Sequence, residues 1–441
     1  MLSSHARFRN HWPDLRPHDY LRSYRHRSAR RRSMTRRYSF PEGHWDWPIK
    51  LTHHHAVRAG DMVFTGGQVD LDSQGTVRNI GDLDAQVRNS MAYMEDILTD
   101  LGVGFTDLVR LVVYYVGDAG DEVRMLNLLA DIIGHEVKPV VNLINLPELC
   151  YPDMLCEIEG VAMRAPDGSA LPRQNYHLDA QSPLPRAFSH VVKCSDMIFT
   201  GDMTARSADG SVTHPGDIVA QTKLMMDRLS RALQEAGAGM QDVVKVNTFY
   251  LGDGTAADWE VSARIRADYF PDPGPTSTGI PVPFFPHDGL TTRIAATACA
   301  PGARRIRHVW PDGHWNWTTA LPYKHGVGSG QFIHVGGQVA LDKQAKVLEP
   351  GDMIAQTRIA MENVARVLDE FGATLDDVVK VTTFYQGSAS AEALHDNLLI
   401  RSNSYTAPGP ATTGIPVPNL VYEEMVIEIE VIAMLENHTE A

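Results

Sequence analysis

The chain of 441 residues has little of what several protein classes require. Its four cysteines, Cys150, Cys156, Cys194 and Cys299, form no CxxC pair and have no metal-ligand spacing, which predicts a reducing, cytoplasmic compartment and no metal site. No apolar run is long enough to cross a bilayer, so we expect no membrane contact. There is no P-loop and no GxGxxG after a strand, so we also expect no nucleotide, flavin or other cofactor.

Positive charge is scarce outside the N-terminal segment. Residues 1–37 contain eleven arginines and two aspartates, a net charge of +9, whereas the whole chain carries −14. The remainder therefore carries about −23, which argues against nucleic-acid binding by the folded part.

The basic segment has three interpretations: a transit peptide, an arm for nucleic acid, or an extension upstream of a natural start at Met34. We favour the third, because the repeat described next begins just after Met34 and the segment has no apolar periodicity. Residues 1–40 are accordingly predicted to be a disordered tail.

What the chain does contain is an internal repeat of 135 residues. A Pro-rich turn, PGPTSTGIPVP from Pro273 and PGPATTGIPVP from Pro408, has a weaker copy, KPVVNLINLP, from Lys138. The same period separates sets of glutamines, tyrosines and glycines: Gln86, Gln221 and Gln356; Tyr115, Tyr250 and Tyr385; Gly117, Gly252 and Gly387. The repeat predicts three units, at 41–170, 171–303 and 304–441.

Each unit has the same predicted element order, β-β-α-β-α-β-β, with a possible extra leading strand. The first helix is clearest from Asp352, where DMIAQTRIAMENVARVLDEFG has a 3.6-residue apolar period and an N-cap aspartate. The strand DVVKVTTFYQG is dense in β-branched and aromatic residues. We predict an α+β fold: a mixed sheet with both helices on one face, packed three times around a pseudo-threefold axis with clefts between units.

Two features before the first predicted strand allow more than one interpretation. The motifs PEGHWDW at 41–47 and PDGHWNW at 311–317 are either packing anchors or the rims of a ligand cleft. The triple histidine at 53–55 suggests a metal, but adjacent strand residues point to opposite faces and no carboxylate or cysteine lies at ligand spacing. His55 recurs as His190 and His325, which is typical of a structural histidine.

The units resemble the Rid (reactive intermediate deaminase, YjgF-like) family. The resemblance rests on the FTGGQV strand, the G-D-x-x-A-Q helix start, the DVVKVTTFY strand and the Pro-rich turn followed by IEIEVIA, in this order within residues 41–436. Members of the family are homotrimers with a chorismate-mutase-like fold, and they hydrolyse enamines and imines to ketones and ammonia in the clefts between subunits. The resemblance implies a fused, single-chain trimer with a small-molecule substrate, either monomeric or a homo-oligomer of such chains.

The resemblance also implies site residues. The carboxylate that orients the attacking water corresponds to Glu157 and Glu428, and in the second unit to Arg293. Substrate-binding roles fall on two Gly-Gln pairs, on the aromatic position of the leading strand and on an asparagine of the second helix: Gly67, Gln68, Gly337, Gln338, Tyr323, His53, Asn127 and Asn397. The second unit has Asp202-Met203 in place of Gly-Gln, so we expect one dominant site built from units one and three.

The arginine with which family deaminases clamp a substrate carboxylate is missing. Its positions are Val141, Ser277 and Thr412, so activity on simple 2-aminoacrylate-type imines is not expected. A neutral set of hydroxyl donors favours amide-like or ring substrates: Ser277, Thr278, Thr412 and Thr413. Arg293 is a candidate cationic clamp for one cleft, with Arg266 and Arg401 as weaker candidates.

Three functions follow from these observations. The first is hydrolytic deamination of an enamine or imine, with a buried carboxyl such as Glu428 as general acid and base at a raised pKa. The second is hydrolysis of an amide or lactam, as in cyanuric acid hydrolases, which also form a pseudo-trimer from one chain. Those enzymes use Ser–Lys pairs, whereas Lys138, Lys193 and Lys324 do not recur at one position. The third is a non-catalytic small-molecule-binding protein.

Overall fold

The computed structural model describes residues 36–179 and 183–435. The basic segment at 1–35 therefore lies outside the described residues. Residues 36–39, assigned above to the tail, form the first strand of the first sheet, so the first unit begins before the predicted boundary at residue 41.

The element order is the predicted one, with the leading strand present in every unit. Unit one contains β1 Arg36–Ser39, β2 Ala56–Ala59, β3 Met62–Thr65, α1 Leu83–Asp100, β4 Leu108–Tyr115, α2 Ala119–Ile133, β5 Val140–Asn145 and β6 Cys156–Met163. Unit two contains β7 Arg173–Tyr176, β8 Val191–Cys194, β9 Met197–Thr200, β10 Met203–Thr204, α3 Ile218–Glu235, β11 Val243–Leu251, α4 Ala256–Ala267, β12 Thr276–Val282 and β13 Thr292–Cys299. Unit three contains β14 Ile306–Val309, β15 Gly326–Ser329, β16 Phe332–Gln338, α5 Met353–Asp369, β17 Val378–Gln386, α6 Ala391–Asn403, β18 Ala411–Val417 and β19 Ile427–Met434.

The three sheets share one topology. Their strand orders are β1-β2-β3-β6-β4-β5, β7-β8-β9-β13-β11-β12 with β10 against β13, and β14-β15-β16-β19-β17-β18. The last two strands of each order are parallel and the other pairs are antiparallel, because the second helix of each unit crosses over between them. This is the α+β fold that the sequence predicts.

The repeated glutamine ties each first helix to its sheet. In unit three Asp352 caps α5 by accepting the N–H of Ala355, as predicted. Gln356 is fully buried, and its side chain donates to the carbonyls of Glu349 and Glu424 while accepting the N–H of Val426. The glutamine thus satisfies backbone groups that would otherwise be buried without partners.

The three units close into a ring through the same backbone hydrogen bond at each seam. It runs from a residue of one unit's leading segment to the proline carbonyl of the preceding unit: Ser189 to Pro139 at 2.9 Å, Lys324 to Pro275 at 3.1 Å, and His54 to Pro410 at 3.2 Å. An apolar cluster has members from all three sheets, including Phe64, Phe199 and Phe332. Units one and three are therefore neighbours although they lie at opposite ends of the sequence. Among the described residues, no helix is both long and apolar enough to span a bilayer.

Candidate functional site

A cleft lies at each of the three seams, and we name each cleft by the units that form it. The 3–1 cleft is lined by Trp45, Trp47, Gly67, Val69, Leu71, Cys150, Tyr151, Met154 and Glu157 of unit one and Leu394, Leu398, Thr412 and Gly414 of unit three. The 2–3 cleft is lined by Trp259, Ser277 and Gly279 of unit two and Trp315, Trp317, Tyr323, Gly337, Val339, Leu341, Val421, Tyr422, Met425 and Glu428 of unit three. The 1–2 cleft is lined by Glu122, Leu126, Val141 and Leu143 of unit one and Pro183, Leu184, Ser189, His190, Gly201, Asp202, Thr204, Arg206, His287, Leu290 and Arg293 of unit two.

The 3–1 cleft presents one buried carboxyl group, that of Glu157 on β6. Burial is the main cause that raises its pKa to about 8, with a further contribution from the charge of Glu159. The backbone N–H of Gly414, from the other unit, donates a hydrogen bond to this carboxyl group and partly opposes the shift. A Cβ on Gly67 would lie 1.8 Å from Oε1 of Glu157, so only glycine leaves room for the carboxyl group there.

The 2–3 cleft repeats this arrangement with Glu428 of β19. Burial is again the main cause that raises its pKa to about 8, while the charge of Lys245 opposes the shift. The N–H of Gly279 from unit two donates to the carboxyl group, and a Cβ on Gly337 would lie 1.7 Å from Oε1. Two of the three clefts therefore contain a carboxyl group that is largely protonated at pH 7.

Aromatic walls flank both carboxyl groups, so the GHW motifs form the rim of the clefts and are also packed in place. Trp47 stacks on His55 with ring centroids 5.0 Å apart and an angle of 6° between the planes, and Trp317 stacks on His325 at 5.3 Å and 6°. In each pair the tryptophan lines the cleft and offers a flat apolar surface to a ligand, while the histidine lies outside the cleft lining.

The predicted Gln68 and Gln338 support these walls from inside the protein. Oε1 of Gln68 lies 2.9 Å from Nε2 of His44 and accepts from Nε1 of Trp45 at 3.4 Å. Gln338 holds the equivalent pair, His314 at 2.8 Å and Trp315 at 3.1 Å. Both glutamines are fully buried and lie outside the cleft linings, so they position the rim.

The 1–2 cleft has a different carboxylate in the same place. Where units one and three have glycine, unit two has Asp202, and where they have glutamate it has Arg293. Oδ2 of Asp202 lies 3.0 Å from Nη1 of Arg293 and accepts the N–H of Leu143 at 2.9 Å. Leu143 occupies the position of Gly414 and Gly279, so the aspartate has taken over the backbone contact of the missing glutamate. The Arg293 guanidinium is thus matched by Asp202 and is not a free clamp.

A second carboxylate in the 1–2 cleft, Glu122 on α2, was not foreseen from the sequence. It is 3% exposed and contacts Tyr115, His287 and Arg206 at 2.8, 2.8 and 3.4 Å. Burial acts to raise the pKa of Glu122, but the hydrogen bond from His287 and the charge of Arg293 outweigh burial and lower the pKa to about 2. This cleft therefore has two carboxylates that already have cationic partners.

The four predicted hydroxyl residues of the Pro-rich turns face either a cleft or the pseudo-threefold axis. Thr412 and Ser277 line the 3–1 and 2–3 clefts, whereas Thr413 and Thr278 point to the other side of their strands, toward the pseudo-threefold axis. Strand alternation accounts for this split, since consecutive side chains lie on opposite faces.

The remaining predicted residues are dispersed. Tyr323 lines the 2–3 cleft and is 1% exposed. His53 is buried beside Tyr405 and Pro410, and Asn397 lies on the buried side of α6, both outside the cleft linings. Asn127 is exposed and also lies outside these linings.

A buried arginine lies directly behind Thr412. Arg401 of α6 is fully buried, and its Nη1 donates to Oγ1 of Thr412 at 3.0 Å. Asn397 holds the guanidinium by accepting from Nε and Nη2 at 3.0 and 2.8 Å. Burial lowers the pKa of Arg401 to about 10, which leaves it charged at neutral pH. The Thr412 hydroxyl accepts from Arg401 and so keeps its own hydrogen for a ligand in the cleft.

Comparison with known proteins matches all three units. The family model described as Endoribonuclease L-PSP matches residues 50–164, 180–300 and 316–435. A RutC family protein from Pyrococcus abyssi is 32% identical over 115 residues, which are 26% of this chain and 87% of the relative. A 2-iminobutanoate/2-iminopropanoate deaminase from Escherichia coli is 28% identical over 113 residues, again 26% of this chain and 87% of the relative. Each of these relatives thus corresponds in length to one unit.

One solved structure spans most of the ring. The crystal structure of a chorismatase aligns with a TM-score of 0.51 and 13% identity, and the alignment covers 74% of this chain and 93% of the chorismatase chain. At this identity the similarity shows a shared fold.

Proposed function

The chain belongs to the Endoribonuclease L-PSP family in all three of its units, and from this premise we propose that it is a hydrolytic deaminase of an enamine or imine intermediate. Relatives that share one unit with it are 2-iminobutanoate/2-iminopropanoate deaminases, which supports this reaction class. The observation that carries the proposal is the pair of buried carboxyl groups, Glu157 and Glu428. Burial raises the pKa of each to about 8, and each accepts a hydrogen bond from a glycine N–H of the neighbouring unit.

A single carboxyl group suffices for the proposed chemistry. The protonated Glu157 donates its proton to the imine nitrogen, which makes the carbon more electrophilic. The carboxylate then takes a proton from water while the water oxygen bonds to that carbon, giving a carbinolamine. Return of the proton to nitrogen breaks the C–N bond, ammonia leaves, and the carboxylate recovers the hydroxyl proton as the ketone forms. Water is the only co-reactant, and Glu428 does the same in the 2–3 cleft.

The walls of these two clefts indicate the substrate class. Each cleft has two tryptophans on the side of the carboxyl group and a neutral hydroxyl, Thr412 or Ser277, at the position of the missing clamp arginine. An imine that carries a flat ring and a neutral oxygen acceptor fits both features, because the ring covers the tryptophans and the hydroxyl donates to the oxygen. We therefore propose ring-bearing imines rather than small aliphatic 2-imino acids as substrates.

The lysines that recur in units two and three do not favour the amide or lactam hydrolase. Lys245 and Lys380 each lie 2.5 Å from a threonine hydroxyl, but each also forms an ion pair at 2.6 Å with a carboxylate, Glu430 or Glu159. Each lysine is thus matched by a carboxylate, which is not the arrangement of a Ser–Lys catalytic pair. The family description names an endoribonuclease, but the residues after 37 carry a net charge of about −23, which opposes binding of a polyanion.

Ammonia release is the direct test. An amino-acid oxidase generates imines in the assay from alanine, 2-aminobutyrate, phenylalanine and tryptophan, and a set of lactams is assayed beside them. We expect ammonia release above the uncatalysed rate, with kcat/KM larger for the ring-bearing imines than for the aliphatic ones. Ring opening of a lactam with no acceleration for any imine would show an amide hydrolase instead. If neither set is turned over, the deaminase proposal fails and the non-catalytic binding function remains.

A further inference from the structure

A further cavity lies on the pseudo-threefold axis, where the three sheets face one another. Its volume is about 90 Å³, several times the roughly 10–15 Å³ that one water needs, so it has room for an ion of several heavy atoms. All three units contribute a basic residue at equivalent positions of their central strands: Arg110, Lys245 and Lys380.

Two of these cations have a carboxylate partner in the next unit. Nζ of Lys245 lies 2.6 Å from Oε2 of Glu430, and Nζ of Lys380 lies 2.6 Å from Oε2 of Glu159. Both glutamates occupy the same position of the last strand, opposite Thr382 in unit three and opposite Val112 in unit one. The ring symmetry thus predicts a third such pair, between Arg110 and unit two.

The third carboxylate is missing. The equivalent residue of unit two is Ala295, which lies opposite Asn247 and lines the cavity. Arg110 still points toward unit two, because its Nη1 donates to Oγ1 of Thr297 at 3.4 Å, while its Nε donates to Oδ1 of Asn142 at 2.6 Å. Within the described residues, no ion pair joins the Arg110 guanidinium to a carboxylate.

The other charges near Arg110 already have partners. Asp202 is adjacent, but its Oδ1 accepts from Asn142 at 3.0 Å and its Oδ2 faces Arg293 at 3.0 Å. With Asp202 matched by Arg293, the cavity has three cations against two carboxylates and an excess of one positive charge. Burial of an unmatched charge is costly, so an anion bound in the cavity would stabilise the folded protein.

We propose that the axial cavity binds a small carboxylate ion, of the size of formate or acetate, on Arg110. The ion would take the position of the third carboxylate, which is missing because unit two has Ala295 where the other units have glutamate. His334 lines the same cavity, and its Nε2 has no hydrogen-bond partner within the described residues, so the tautomer that carries hydrogen on Nε2 gives the ion a second donor. Among the cleft-lining residues only Asp202, of the 1–2 cleft, also lines this cavity, and the site does not depend on the deaminase proposal.

The test is the thermal unfolding midpoint of the full chain in sodium formate, compared with sodium chloride at equal ionic strength. We expect formate to raise the midpoint of the wild type by at least about 2 °C at saturation. Ala295→Glu supplies the missing carboxylate within the chain, so it should raise the midpoint without formate and abolish the formate-dependent shift. Ala257→Glu makes the same substitution at an exposed position of unit two and should leave the shift unchanged.

A second measurement covers the case in which the cavity variant does not fold. Crystals of the wild type grown without carboxylates and then soaked in formate should show planar density beside Arg110 only after the soak. The proposal is overturned if formate does not shift the wild-type midpoint, if the shift persists in a folded Ala295→Glu variant, or if the soaked crystals show no density beside Arg110.

Discussion

Asp202 and Arg293 form a buried ion pair, with 3.0 Å between Oδ2 and Nη1, at the two positions where the other units have a glycine and a glutamate. The space admits either a glutamate side chain from one strand or an aspartate side chain from the other, since a Cβ at Gly67 would lie 1.8 Å from the Glu157 carboxyl oxygen. Unit two therefore carries two linked replacements, and the ring has two acid-bearing clefts and one cleft whose carboxylates are paired.

This linkage predicts strong coupling between the two positions. Asp202→Gly leaves the Arg293 guanidinium buried without its partner and should lower the free energy of unfolding by about 3–5 kcal/mol. The double variant Asp202→Gly/Arg293→Glu recreates the glycine and glutamate of the other units and should recover most of that loss. Urea unfolding of the wild type, both single variants and the double variant measures the coupling. Simple addition of the two single effects would contradict it.

The glycines beside the two proposed catalytic carboxyl groups should be essential for activity. Gly67→Ala and Gly337→Ala together place a methyl group 1.8 and 1.7 Å from the present carboxyl oxygens, so Glu157 and Glu428 must move and ammonia release should fall by at least about tenfold. Gly104→Ala is the matched control, because its Cβ would meet no atom within 4 Å. A double variant as active as this control would show that the carboxyl positions do not matter.

The two raised pKa values predict how stability depends on pH. The folded protein holds the protons of Glu157 and Glu428 up to about pH 8, whereas the unfolded chain releases them near the ordinary value of 4.5. Their contribution to stability is therefore fully present below pH 4.5, falls as the pH rises, and levels off above pH 8. Urea unfolding between pH 5 and 9 should show a shallower decline for Glu157→Gln/Glu428→Gln than for the wild type. Parallel curves would mean that the two carboxyl groups titrate normally.

Much of the fold was predictable because the repeat allows one unit to be compared with another. The weak copy of the Pro-rich turn after Lys138 would not identify a strand alone, yet its alignment with the turns at Pro273 and Pro408 predicts β5 correctly. The element order and the ring of three units followed from the same comparison and are seen in the structure, and the family match confirms the three tandem units.

The site was less predictable, and the reasons are local. Two periods of 135 residues make Asn127 the sequence equivalent of Asn397. The cleft-lining residues Leu126 and Leu398, however, are 272 residues apart, because the loop and helix of unit one differ in length from those of unit three. Asn127 consequently lies on the exposed side of α2. Its assignment from spacing fails where insertions occur.

The contacts of Asp202 and Glu122 depend on partners that are distant in sequence. Asp202 is 91 residues from Arg293, and Glu122 is 165 residues from His287. The replacement of Gly-Gln by Asp202-Met203 was visible in the sequence as the loss of a site, but only the juxtaposition of the two strands shows that the aspartate substitutes for the glutamate.

The most direct test of the central claim is ammonia release by Glu157→Gln/Glu428→Gln on the best imine substrate. Glutamine keeps the size of the side chain and removes the acid, so kcat/KM should fall by at least about 100-fold while the protein stays at least as stable as the wild type at pH 7. Each single variant should retain the activity of the other cleft. Wild-type turnover by the folded double variant would contradict the assignment of these two carboxyl groups as the catalytic acids.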